Sequence, residues 1–398
     1  MNCLRLTGTL GVSLLLASGC ATTHSGYSPG ATGSSFNDGR SMARQGPSRD
    51  RVLWQYKGAL TAMRRGDYDE AKRLLDDAIL TIGGIITNDK DAKKARGLFH
   101  GESRKAFIGE PYERVMAYYY RGILYWMDGE PDNARACFRS GLFIDGDVES
   151  KTYAADYVLL EYLDGLATAK LAGDGSDSLQ RARQVAQHTT PPDYNTRANV
   201  LVFVEAGNGP IKYAGGEYGQ LLLYAEGKSS ARGAVVKANG QSYPAGPYDD
   251  LYFQATTRGG RVMDHILANK ATFKTTTDTI GDASIISGAI LAGTQRNRNS
   301  AADEVGVGLL AFGVLNKIVS AAANPAADVR CWDNLPRYLG FAALELPPGE
   351  HQLTVEFRGP HGQNLTSLAK NIKVNVPSSG DRDIVLFVSD KSSTPKAL

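Results

Sequence analysis

Two short stretches decide the reading of the first half of this chain: Gly66-Asp67-Tyr68-Asp69-Glu70-Ala71 and Gly129-Glu130-Pro131-Asp132-Asn133-Ala134. Each alanine is followed one helical turn later by a large apolar residue, Leu75 or Phe138, and then by a small one, Ala78 or Gly141. The two sets are in register at a separation of 63 residues, Gly66 to Gly129. The pattern describes a helix–turn–helix unit. A glycine closes the first helix, and acidic residues open the second at the positive end of its dipole. Ala71 and Ala134 are small where the paired helices approach, and Leu75 and Phe138 fill the interface one turn on.

Outward from these stretches the apolar spacing is helical from Arg51 to about Thr189. In the second unit Gly122 and Tyr125 take the small and aromatic positions of the first helix, and Ala59 and Ala62 stand in the equivalent places of the first unit. The units resemble tetratricopeptide repeats, whose period is 34 residues. A separation of 63 therefore implies an insertion or a degenerate repeat around Asn88 to Lys105. A third, decayed unit runs from Tyr153 through Leu160 and Leu166 to Ala182 and Ala186, and three units are about the minimum for a stable stack. The resemblance implies a helical domain over residues 51–190; a generic helical bundle is the alternative. Tyr118, Tyr119, Tyr120, Tyr125 and Trp126 crowd one helix of it. Helical spacing puts most of them in the core, but three consecutive tyrosines cannot all face one side. Stiff, amphipathic tyrosines suit a protein-binding groove, so these five are the expected partner-binding residues, against the alternative of a plain structural face.

The second half, residues 196–398, reads as strands. Asn199 to Glu205 is valine-rich and hardly alternates, as a buried strand would. Further strands are expected at Gln220–Ala225, Gly233–Ala238, Gln352–Phe357, Ile372–Val376 and Ile384–Val388, with turns at Pro347-Pro348-Gly349 and Pro377-Ser378-Ser379-Gly380. The expectation is an antiparallel β-sandwich with a helical insertion at about residues 260–327. Within that insertion 280–294 holds Asp282 as its only charge and 305–323 only Lys317, with small residues at helical steps. Such a pair either packs on the sandwich or forms a hairpin that enters a bilayer or oligomerises. It is too short and too interrupted for a standard span. Beyond it, Arg330 and Trp332 read as a buried anchor, the arginine paired with Asp328 or Asp333; the alternative is a binding hot spot.

The first residues give an address. Arg5 precedes an apolar run from Leu10 to Ala17, a secretory signal over residues 1–19. Leu16-Ala17-Ser18-Gly19-Cys20 resembles the bacterial lipobox, with Ala17 where that motif prefers leucine. The resemblance implies acylation of Cys20 and, with Ala21 rather than aspartate next, the outer membrane; ordinary cleavage near Ala21 is the alternative. Residues 20–50, rich in Gly, Ser, Thr and Pro, read as a flexible tether.

Gly109-Glu110-Pro111-Tyr112-Glu113-Arg114-Val115-Met116, the run from Asp156-Tyr157 to Gly165-Leu166, and Asp328-Val329-Arg330-Cys331-Trp332-Asp333-Asn334-Leu335-Pro336 resemble a family of uncharacterised bacterial envelope lipoproteins. Its members join a lipidated N-terminus, tetratricopeptide-like helices and a β-rich C-terminal half, and no activity comes with the resemblance. Composition sets outer bounds. With 42% hydrophobic residues in 398 and a net charge of +2, the chain is neither a disordered tail nor a basic nucleic-acid binder. No phosphate loop, H-E-x-x-H or C-x-x-C occurs, so no metal or cofactor is expected. The expected protein is an α+β multidomain lipoprotein, with helical repeats followed by a sandwich. It is non-catalytic and acts as an adaptor or assembly scaffold for an envelope protein partner, tied to the membrane by its lipid. The alternatives are an envelope enzyme acting on cell wall or polysaccharide and a membrane-inserting protein.

Overall fold

The computed structural model describes residues 34–87, 106–146, 155–215, 221–257, 327–380 and 382–392. Seven α-helices come first among them: α1 (Ser34–Gln45), α2 (Arg51–Arg65), α3 (Tyr68–Thr87), α4 (Pro111–Met127), α5 (Pro131–Asp145), α6 (Val158–Lys170) and α7 (Ser176–Val185). Gly66 and Gly129 end α2 and α4 in the left-handed conformation, with φ of 72° and 81°. Both build the same cap. The Gly66 and Asp67 N–H groups donate to Met63 and Ala62, and those of Gly129 and Glu130 donate to Trp126 and Tyr125. A residue with a Cβ would be strained at either turn. Asp69 and Glu70 then lie in the first turn of α3, and Pro131 opens α5 with Asp132 behind it. Ala71, Leu75, Ala134 and Phe138 are all fully buried. The approach is close at Gly122, where a Cβ would come within 2.5 Å of the Phe138 ring.

The helical chain begins earlier than its composition implies. Residues 34–45, inside the stretch read as a tether, form α1, which packs on α2 with Gly39 against Gly58 and Ala43 in the core. Its polar sequence, with three serines in twelve residues, resembles a linker because the stabilisation comes from tertiary contact with α2 rather than from local propensity.

The strands are β1 (Val200–Ala206), β2 (Ile211–Gly215), β3 (Leu221–Ala225), β4 (Gly233–Ala238), β5 (Gln241–Ala245), β6 (Asp249–Asp250), β7 (Tyr338–Leu344), β8 (Gly349–Arg358), β9 (Lys370–Val376) and β10 (Ile384–Ser389), with α8 (Leu251–Thr256) after β6. They form two four-stranded sheets, ordered β10-β1-β7-β6 and β5-β4-β8-β9, and a separate β2–β3 hairpin. The sheets are antiparallel except for β1 and β10, which run parallel with Val200 opposite Ile384. That pair corrects the expectation of a wholly antiparallel arrangement; among the described residues it closes the last strand onto the first.

β1 shows why the valine run does not alternate. Val200, Val202 and Val204 share an apolar layer with Val236, Val355, Phe357, Ile372 and Val374 of the other sheet. Leu201 and Phe203 point the opposite way, with Leu339, Phe341, Val385 and Phe387, into the core formed by the helices. Both faces of the strand are therefore buried, which selects a continuous hydrophobic run. β8 and β9, with one face in water, alternate instead. Helices and strands belong to one compact unit, so the change of element type near residues 190–196 is not a gap in the core. Burying Phe203, Phe341 and Phe387 contributes about 1.5–3 kcal/mol each. Their sum is comparable with the whole net stability of a domain, about 5–15 kcal/mol.

Candidate functional site

The five aromatics expected to bind a partner divide by helical period. Tyr119, Tyr120 and Trp126 are buried. Tyr119 packs edge-on to Phe203 at 6.3 Å, Tyr120 to Phe387 at 6.0 Å, and Trp126 to Phe203 at 6.4 Å while its indole N–H donates to Asp383 at 2.9 Å. The chain's own sheet thus occupies the side where these three would meet a partner, which corrects the expectation for them. Tyr118 and Tyr125 lie half-buried on the other side of α4. Arg121 sits between them, its guanidinium 3.5 Å from the Tyr125 ring centre and 2.6 Å from Asp76 on α3. The flanking helices add two large apolar side chains in solvent, Leu80 on α3, 78% exposed, and Phe143 on α5, 84% exposed.

Arg330 and Trp332 form an anchor. Trp332 is fully buried and stacks on Tyr56 at 4.4 Å. Arg330 pairs with Asp328 at 2.6 Å, and also with Asp50 at 2.7 Å. Asp333, the other expected partner, takes Lys57 at 3.0 Å instead. Behind the loop lies an ion pair closed to water, Glu113 with Lys212 at 2.5 Å, their side chains 0% and 1% exposed. Glu113 caps α4, and its Oε1 accepts the Trp332 N–H at 2.7 Å. Burial pushes the Glu113 carboxyl up, and Lys212 pulls it back. Lys212 also donates to the Arg330 carbonyl at 3.0 Å.

A second polar centre had no signal in the sequence, because its members come from five separate segments. Glu205, at the end of β1, accepts Arg64 Nε at 2.5 Å and the Tyr120 hydroxyl at 2.8 Å. Asp390, past β10, accepts the Gly207 N–H at 2.8 Å. Among the described residues Arg64 Nη2, Asp333 Oδ1, Asn334 Oδ1 and Asp390 Oδ1 are buried without a hydrogen-bond partner. Burial pushes the Asp390 carboxyl up and the Lys391 ammonium down to about 8, with Arg64 adding to the latter. Unpaired buried groups of both signs suit ordered water better than a single charged ligand.

Among the described residues no group of three His, Cys, Asp or Glu could hold a metal ion. His351 is committed to the Pro347 carbonyl at 2.7 Å and to Asn239 at 3.2 Å. It lines an open cavity of about 320 Å3 with Glu350, Gln352, Lys373, Val374 and Asn375. Cys137 and Cys331 are free thiols, both pushed up to about 11 by burial, far from the range of a reactive thiolate. Cys20 and the apolar segments 280–294 and 305–323 lie outside the described residues. No helix among the described residues is long and apolar enough to cross a membrane. Comparison with family models, curated proteins and solved structures returned no match.

Proposed function

We propose that this chain is a non-catalytic lipoprotein of the bacterial envelope that serves as an adaptor or assembly scaffold. In this reading Cys20 is acylated, and the folded part works at the periplasmic face of the outer membrane. The helices are a tetratricopeptide-like stack, and the two four-stranded sheets are a β-sandwich joined to it. Support for the stack comes from the identical glycine caps and the small–large packing repeated in two units. Support for the sandwich comes from the apolar layer between the sheets.

The observation that carries the scaffold reading is the division of aromatics on α4. Its inner face is satisfied by the chain's own sheet, which holds helices and strands together. The outward stripe of Tyr118 and Tyr125, with Leu80 and Phe143 exposed on the neighbouring helices, is left for a partner. Tyrosine is enriched among residues that dominate binding energy. Leu80 and Phe143 add large apolar side chains in solvent on α3 and α5.

The test is a photo-crosslinking amino acid in place of Phe143 in the lipidated chain, in cells. One envelope protein should be captured in near-stoichiometric amount, and Leu80→Glu in the same chain should reduce that capture. Absence of any partner at Phe143, or capture unaffected by Leu80→Glu, overturns the surface assignment. Cys20→Ser should release the chain into the soluble periplasmic fraction; unchanged membrane fractionation removes the lipid anchor from the proposal.

A further inference from the structure

The β2–β3 hairpin has an outer face made only of apolar residues and glycine. Among the described residues β2 and β3 pair only with each other. Their register sets Ile211 opposite Ala225, Tyr213 opposite Leu223 and Gly215 opposite Leu221, and directly paired residues share one face. Of the alternate residues, Lys212 turns inward to Glu113 and Tyr224 packs against the Tyr112 ring at 5.9 Å, while Ala214 is exposed. On the outer face Ile211, Tyr213, Leu221 and Leu223 are 37–47% exposed.

The chain that runs from residue 258 to 326, outside the described residues, leaves and returns beside this hairpin. It departs after α8, whose Tyr252 lies 5.8 Å from the Arg337 guanidinium; Arg337 in turn pairs with Glu226, the residue after β3. It returns into Arg330, whose carbonyl takes the Lys212 ammonium of β2 at 3.0 Å, and Cys331, whose thiol faces the Pro210 carbonyl at 3.5 Å just before β2. One end thus lies by each strand. Between them, 280–294 and 305–323 hold one charge each, Asp282 and Lys317.

Area decides between occupants. Four large side chains at these exposures present roughly 300 Å2, against about 800 Å2 per partner in a stable protein–protein interface. A second copy is therefore a poor occupant. A segment of the same chain, held at both ends beside the hairpin, loses no translational freedom on docking and acts at high effective concentration. We propose that the outer face of the β2–β3 hairpin is an intramolecular docking surface for the apolar stretches 280–294 and 305–323. This inference is independent of the scaffold reading, since it requires no partner.

The test uses the purified full-length chain with a photo-crosslinking amino acid at Leu223, prepared as a mixture of isotopically light and heavy protein. Crosslinked peptides should join the hairpin to residues 280–323 within one chain, with or without phosphatidylethanolamine–phosphatidylglycerol vesicles. Mixed-isotope pairs would assign the face to a second copy, and lipid adducts replacing the intrachain products would assign it to the membrane; either overturns the proposal, as does the absence of crosslinks. A second measurement does not depend on the probe residue. In Leu223→Asp, with an unchanged far-ultraviolet spectrum, tryptic cleavage at Lys317 should accelerate at least about tenfold. An unchanged rate overturns the proposal.

Discussion

The ion pair between Glu113 and Lys212 gives the sharpest test of how the two halves are held. Glu113 serves three donors: the Glu110 N–H at 2.7 Å and Lys212 Nζ at 2.5 Å on one oxygen, and the Trp332 N–H at 2.7 Å on the other. Glu113→Gln keeps the shape but leaves Lys212 a buried ammonium with the Arg330 carbonyl at 3.0 Å. Breaking a buried pair from one side costs about 3–5 kcal/mol, mostly the uncompensated charge. Lys212→Met should cost somewhat less, because the carboxylate keeps two backbone N–H donors. The double variant should be more stable than the sum of the singles by about 2–3 kcal/mol, since no lone charge remains. The assay is urea unfolding followed by tryptophan fluorescence, compared at constant m-value. Losses that add within about 0.5 kcal/mol would refute the reasoning, as they would mean that water reaches the pair and screens it.

Two further outcomes follow from burial. Tyr120→Phe removes the hydroxyl that donates to Glu205 at 2.8 Å and should cost about 1.5–3 kcal/mol, whereas Tyr118→Phe on the outward stripe should stay within about 0.5 kcal/mol; equal urea midpoints would contradict the division of the α4 aromatics. Asp249 accepts the Val158 and Leu159 N–H groups at the start of α6, yet burial pushes its carboxyl from 3.8 up to about 7. Because the folded state holds this proton more tightly, its contribution is fully present below about pH 4 and is lost as pH rises through 7. The stability of the native chain relative to Asp249→Asn should therefore fall over that window, by at most about 1.4 kcal/mol per pH unit, as read from urea midpoints at pH 4.5–7.5; parallel profiles would contradict the assignment.

What was legible in the chain was local. Gly66 and Gly129 close helices because the caps they build use only their own neighbours. All six strands read from valine-rich or alternating runs are present, at β1, β3, β4, β8, β9 and β10. β7 gave no such signal. Its Tyr338–Leu344 run contains Gly340, Ala342 and Ala343, poor strand formers, yet it pairs along its whole length with β1. Gly340 is required there by a distant segment, since a Cβ would lie 2.9 Å from the Ala245 carbonyl oxygen. The polar centre at Glu205 was equally silent, because Arg64, Tyr120, Asn334 and Lys391 acquire their environment only from chains far apart in sequence.

The sequence by itself determined the helical units, most of the strands and the absence of a short catalytic motif, since periodicity, caps and turns depend on residues a few places apart. Only the tertiary structure decided which face of each element meets protein and which meets water. Tyr119 and Tyr118 are adjacent and chemically identical; one packs on Phe203, 84 positions away, and the other is left half in solvent. That outcome follows from burial by residues remote along the chain, which no local pattern encodes.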